Sequence, residues 1–97
     1  MAYMFKGATS FNQPVAFDTS NVLSMTEMFG EATGFNSPIN FSDTSNVYEM
    51  NTMFTGATSF NQPVHFDTSK VLVMRSMFAD ATSFDQPVRF CASTHLI

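Results

Sequence analysis

Eight carboxylates, two histidines and one cysteine are the first candidates for metal binding, proton transfer or nucleophilic attack in this 97-residue sequence. Asp18, Asp43 and Asp67 recur at intervals of 25 and 24 residues, which invites a calcium ladder. Calcium-binding repeats carry a glycine-rich nonapeptide for that purpose, and this chain has four glycines in all. Each of these aspartates instead heads an Asp-Thr-Ser triplet, whose short side chains hydrogen-bond nearby backbone N–H groups and make a turn. His65 shares its repeat position with Ala16, Asn40 and Arg89, a variable and therefore solvent-facing place, while His95 lies beyond the regular pattern. Cys91 stands where the other copies have Asp, with no histidine at a fixed spacing and only Arg89 as a cationic neighbour, so it reads as an incidental thiol. Neither a glycine-rich phosphate loop nor a Ser/His/Asp arrangement is present. The expectation is no enzyme, no metal and no cofactor.

These positions can be compared because the chain repeats. Met-Phe occurs at Met4-Phe5, Met28-Phe29, Met53-Phe54 and Met77-Phe78, spaced by 24, 25 and 24 residues. Ala8, Ala32, Ala57 and Ala81 form a second column, and Phe11, Phe35, Phe60 and Phe84 a third. Phe17, Phe41, Phe66 and Phe90 close the pattern, so that all 12 phenylalanines fall in columns and are expected inside. The extra residue of the second unit is Ser42 or a neighbour, a one-residue bulge before Asp43. A period of 20–50 residues marks stacked repeats that share one core, and 24 is too short for two-helix units. The units are about 1–24, 25–49, 50–73 and 74–97 of a single domain, 1–97.

Two periodicities run inside a unit. Met25, Met28, Phe29 and Ala32 lie at i, i+3, i+4 and i+7, one face of a short helix, which predicts helical turns over Met25–Thr33, Met50–Thr58 and Met74–Thr82. Phe11 to Phe17 reads as extended, and Val22–Met25, Val47–Met50 and Val71–Met74 read as the strands that stack in parallel. Asn12, Asn36 and Asn61 follow the Phe of each unit and are expected to bond the backbone of the next one. Asp85 takes their place in the fourth unit, where it lacks an amide donor.

The segments "MFKGATSFNQPVAFDTSNVLSM" and "MFTGATSFNQPVHFDTSKVLVM" resemble the Met-Phe/Phe-Asn-Gln/Asp-Thr-Ser tandem repeat of bacterial surface proteins, mycoplasma-type lipoproteins and microalgal proteins, a family regarded as related to BspA-like leucine-rich repeats. The resemblance spans residues 1–93. It implies an α/β repeat solenoid, a leucine-rich-repeat-like right-handed coil of about four units, each with a short parallel strand and a short helical turn. It also implies a non-enzymatic binding or scaffold role, usually extracellular or at the cell surface.

Composition narrows the partners. Four Lys+Arg against eight Asp+Glu give a net charge of −4, which argues against a nucleic-acid backbone as ligand. No apolar run approaches the roughly 20 residues of a membrane helix or the roughly 7–15 of a signal-peptide core. The expected role is a structural or protein-interaction module, with Lys6, His65, Arg75 and Arg89 as variable outward positions that meet a ligand. An alternative is an ice-binding face on the ladder Thr9, Thr33, Thr58 and Thr82. Coils of Phe and Met left open at the ends expose apolar surface. Met1–Phe5, Phe90–Ile97 or both are therefore expected to contact another protein or further repeats of the same array.

Overall fold

A computed structural model describes residues 1–86 and the backbone of 88–91. The elements are four short strands, β1 (Val15–Phe17), β2 (Ile39–Phe41), β3 (Val64–Asp67) and β4 (Val88–Cys91), joined by turns. β1 pairs with β2 in parallel with Val15 opposite Ile39, and β3 with β4 with Val64 opposite Val88. Each pairing is offset by one repeat.

The α/β, leucine-rich-repeat-like right-handed coil with helical turns, expected above, is overturned: among the described residues there is no helix. The reason lies in where the amides go. Over Met25–Ala32 the N–H groups of Met28, Gly30 and Ala32 donate three residues back, to Met25, Glu27 and Phe29. The N–H groups of Glu27, Phe29 and Glu31, between them, leave the segment and donate to Asn51, Met53 and Thr55 of the next repeat at 2.7–2.9 Å. A helix over Met25–Thr33 would instead send the N–H groups of Phe29, Gly30 and Glu31 to the carbonyls of Met25, Thr26 and Glu27 in its own segment. The same three bonds join the first repeat to the second (Tyr3, Phe5 and Gly7 to Thr26, Met28 and Gly30) and the third to the fourth (Thr52, Phe54 and Gly56 to Arg75, Met77 and Ala79).

This alternation requires left-handed backbone at two places per repeat. Tyr3, Glu27, Thr52 and Ser76 have φ between 49° and 63°, and Gly7, Glu31, Gly56 and Asp80 between 56° and 73°. Glu27 and Glu31 sit third in turns closed by Met28 N–H to Met25 O and Ala32 N–H to Phe29 O, the place where a type II turn needs positive φ. A lone segment of this length is also too short to be helical by itself, since isolated helices under roughly 12–15 residues are marginal. The predicted face is nevertheless the buried one: Met25, Met28, Phe29 and Ala32 are fully inaccessible.

The strands are also elsewhere than expected. Val22–Met25, Val47–Met50 and Val71–Met74 contribute only the isolated parallel bridges Ser24 to Glu49 and Glu49 to Val73, and the ladders form in the extended segments before Asp-Thr-Ser.

The core is a set of parallel ring stacks running through the repeats. Phe5, Phe29, Phe54 and Phe78 stack at 5.3–5.4 Å between centroids, and Phe11, Phe35, Phe60 and Phe84 at 5.7–5.8 Å. The two columns touch within each repeat, as in Phe54–Phe60 at 4.3 Å. Rings in the middle repeats are buried, whereas Phe5, Phe11, Phe78 and Phe84 are half-buried. The side chain of Phe90 lies outside the described residues.

The expected bulge is at Ser42. Its N–H continues the strand bonding to Phe17 O, and Asp43 N–H then donates to Thr19 Oγ1. Repeat 3 has one residue fewer: Asp67 N–H goes to Thr44 Oγ1, and no counterpart of Ser42 exists to donate to the Phe41 carbonyl. The described strands accordingly form two sheets, β1-β2 and β3-β4, with the break between β2 and β3.

Among the four glycines the backbone approaches most closely at Gly34, where other repeats have Ser10, Ser59 and Ser83. A Cβ on Gly34 would run into the backbone carbonyl oxygen of Thr9 in the first repeat. Backbone cannot swing aside as a flexible side chain does, so Gly34→Ala is expected to cost about 1–3 kcal/mol. Urea unfolding checks this, and Ser59→Ala in the same column serves as the control that changes little.

Candidate functional site

The polar columns are consumed by the junctions between repeats. Asp18, Asp43 and Asp67 each accept through Oδ1 the N–H two residues on, from Ser20, Ser45 and Ser69 at 2.8–3.1 Å. These are the hydrogen-bonded turns expected from Asp-Thr-Ser. Among the described residues no group of three or more His, Cys, Asp or Glu is placed to hold a metal ion.

The threonine inside each triplet is the polar residue that sequence reasoning passed over. Thr19, Thr44 and Thr68 are buried. Thr19 Oγ1 donates to Asp43 O at 2.6 Å and accepts Asp43 N–H at 3.1 Å, and Thr44 Oγ1 clamps Asp67 in the same way at 3.1 and 2.8 Å. One hydroxyl thus satisfies both backbone groups of a residue in the next repeat. Its recurrence in three copies was the available signal.

The asparagine ladder forms with the amide oxygen as its working atom. Asn12, Asn36 and Asn61 accept the N–H groups of Asn36, Asn61 and Asp85 at 2.7–2.8 Å. Asp85 completes its rung with its backbone, so the missing amide donor does not weaken it.

Of the four expected ligand-meeting positions, the structure places two side by side. His65 is exposed on β3 and pairs in register with Arg89 on β4, whose side chain lies outside the described residues. Lys6 is in the first repeat, ion-paired with Glu27 at 2.7 Å and 5.6 Å from the centre of the Tyr3 ring. Arg75 is exposed in the fourth repeat, its backbone N–H donating to Asn51 Oδ1 at 2.9 Å. Lys6 and Arg75 stand in different columns, three repeats apart. A shallow open groove of about 240 Å³ lies beside His65, at the sheet break, lined also by Phe41, Ser42, Asp43, Thr44 and Asp67.

Thr9, Thr33, Thr58 and Thr82 are all exposed, and the exposed carboxylates Glu31 and Asp80 lie two residues before Thr33 and Thr82. A second outward column was missed. Leu23, Tyr48 and Leu72 are 57%, 41% and 62% exposed and are joined in register by Tyr48 N–H to Leu23 O and Leu72 N–H to Tyr48 O. Each follows an inward Val, at Val22, Val47 and Val71, and that alternation was legible in the sequence.

The turn carboxylates carry a pH dependence. The Ser20 N–H and hydroxyl, with the Ser42 hydroxyl, hold Asp18 below its ordinary value; the Ser45 hydroxyl and N–H do so for Asp43, and the Ser69 N–H and hydroxyl for Asp67. A carboxylate with a depressed folded pKa binds its proton more weakly folded than unfolded. Its stabilisation is therefore full above the unfolded value near 3.9 and is lost as pH falls through the folded value. Thermal melts are expected to be flat near neutrality and to fall below about pH 4. Replacing all three with Asn should flatten the acid limb, and an unchanged limb would remove these turns as its cause.

A β-rich stack of short repeats, most of whose recurring Phe, Met, Ala, Asp and Asn side chains are spent on core, turns and junctions, defines the class. The family described as "Mycoplasma protein of unknown function, DUF285" matches residues 1–90, and the chain belongs to it. No curated protein and no solved structure gives a significant match.

Proposed function

We propose that the chain is a non-enzymatic structural or protein-interaction repeat module, part of a larger protein or assembly at the cell surface or outside the cell. The observation that supports this reading most is the division of labour between columns. Asp and Asn of the first three repeats, and the triplet Thr of the first two, bond within their own turn or to the adjacent repeat, and most Phe, Met and Ala fill the core. Several positions that differ between copies face outward, as at Ala16, Asn40 and His65. A scaffold with invariant joints and variable outward rows suits recognition of another protein. Two outward rows are offered, the His65 and Arg89 strand positions and the exposed Leu23, Tyr48 and Leu72 row; Lys6 and Arg75 are separate positions on the same scaffold.

A photo-crosslinking residue at Tyr48, compared with one at the exposed Thr33, tests the reading in cells that make the protein. One discrete protein captured from Tyr48 and not from Thr33 is expected. Equal, diffuse labelling from both positions would contradict a recognition surface there.

A further inference from the structure

One of the chain's seven asparagines heads an acceptor motif for N-linked glycosylation. Asn40-Phe41-Ser42 has a hydroxyl residue two places on and no proline between, the pattern that an oligosaccharyltransferase reads. At the same place the other repeats have Ala16-Phe17-Asp18, His65-Phe66-Asp67 and Arg89-Phe90-Cys91. The extra Ser42 of the second repeat therefore makes the bulge and the motif together.

The fold holds Asn40 where a sugar can be borne. On β2 it lies between the half-buried Ile39 and Phe41 and is itself exposed. Asn12, Asn36, Asn46, Asn51 and Asn61 all use their side-chain amides in bonds to a neighbouring repeat. Asn40 makes no such bond among the described residues, so a sugar on its Nδ2 breaks nothing in the stack. Its partner in register on β1 is Ala16, which sets only a methyl group beside it. Toward the third repeat, the groove lined by Phe41, Ser42 and His65 leaves open space. In the folded chain Ser42 Oγ donates to Asp18 Oδ1 at 3.1 Å and accepts the Thr19 N–H at 3.0 Å. The hydroxyl is thus free for a transferase only before the repeat closes.

We propose that Asn40 is an N-glycosylation site, modified during export before the second repeat folds and carried outward by β2. The co-substrate is an oligosaccharide on a polyprenyl pyrophosphate. Asn40 Nδ2 forms a bond to the anomeric carbon as the bond from that carbon to the pyrophosphate oxygen breaks; the amide loses one proton and the polyprenyl pyrophosphate leaves. N-linked glycans are bulky and solubilising and belong on the surface of exported proteins. The proposal rests on the reading of the protein as one at the cell surface or outside the cell.

Mass spectrometry of the peptide containing Asn40, from protein recovered at the surface or in the medium of cells that make it, tests this. A glycan of hexose and N-acetylhexosamine on Asn40 is expected, and its enzymatic release should leave Asp there. Asn40→Gln is expected to abolish the modification completely, whereas Ser42→Thr, which keeps the hydroxyl and the motif, retains it. Asn40→Gln in the unglycosylated chain should leave the melting temperature unchanged, which separates loss of the site from loss of the fold. Unmodified Asn40 in protein recovered outside the cell, or a glycan that survives Asn40→Gln, would overturn the proposal. Protein found only inside the cell would overturn the reading of its location, and the proposal with it.

Discussion

Phe54→Ala is expected to lower stability by about 3–5 kcal/mol, the usual cost of removing a buried phenylalanine. Phe54 has no accessible surface and stacks on Phe29 at 5.3 Å, Phe60 at 4.3 Å and Phe78 at 5.3 Å. Its loss leaves a void between three rings. A domain of this size has about 5–15 kcal/mol in all, so the variant should be close to unfolding at physiological temperature. Phe78→Ala, in the same column but half-buried, should cost roughly half as much because less surface is returned to water. Urea titrations with matched slopes give both values. Equal costs would mean that the fourth repeat is covered as completely as the third.

Thr44→Val should cost about 2–4 kcal/mol although it changes almost no volume. The Thr44 hydroxyl donates to Asp67 O and accepts Asp67 N–H, and its removal leaves both backbone groups without that partner at about 1–3 kcal/mol each. Thr44→Ser keeps the hydroxyl and should recover most of the loss. Thr33→Val, on an exposed threonine, should stay within about 0.5 kcal/mol. Unfolding curves that ranked Thr33 with Thr44 would show that burial of the triplet threonine does not matter.

The contrast between these two threonines shows how far the sequence could be read. Both columns recur, and recurrence alone does not say which hydroxyl faces inward. The phenylalanine and methionine columns were legible because their types leave one sensible location, and the Ser42 bulge because the spacing changes there. The helix expectation failed for a physical reason: apolar residues at i, i+3, i+4 and i+7 report which side chains share a face. They do not report whether the amides between them bond within the segment or across to another one. Gly7 and Gly56 in a column otherwise held by Glu31 and Asp80 marked the left-handed position, but two charged residues at positive φ concealed it. The strands were displaced for a related reason: the β-prone Val22–Met25 and the extended Phe11–Phe17 both bond in parallel to the next repeat, and only the second does so over enough residues to make a ladder. In the candidate site, the variability of the His65 column showed that it faces outward.

The central structural claim is that alternate amides of each turn segment cross to the next repeat. Scalar coupling through hydrogen bonds, measured by NMR on uniformly labelled protein, reads donor and acceptor directly. Phe29 N–H should couple to the Met53 carbonyl carbon and Met28 N–H to that of Met25. Coupling of Phe29 N–H to the Met25 carbonyl carbon, the i to i−4 bond of a helix, would contradict it.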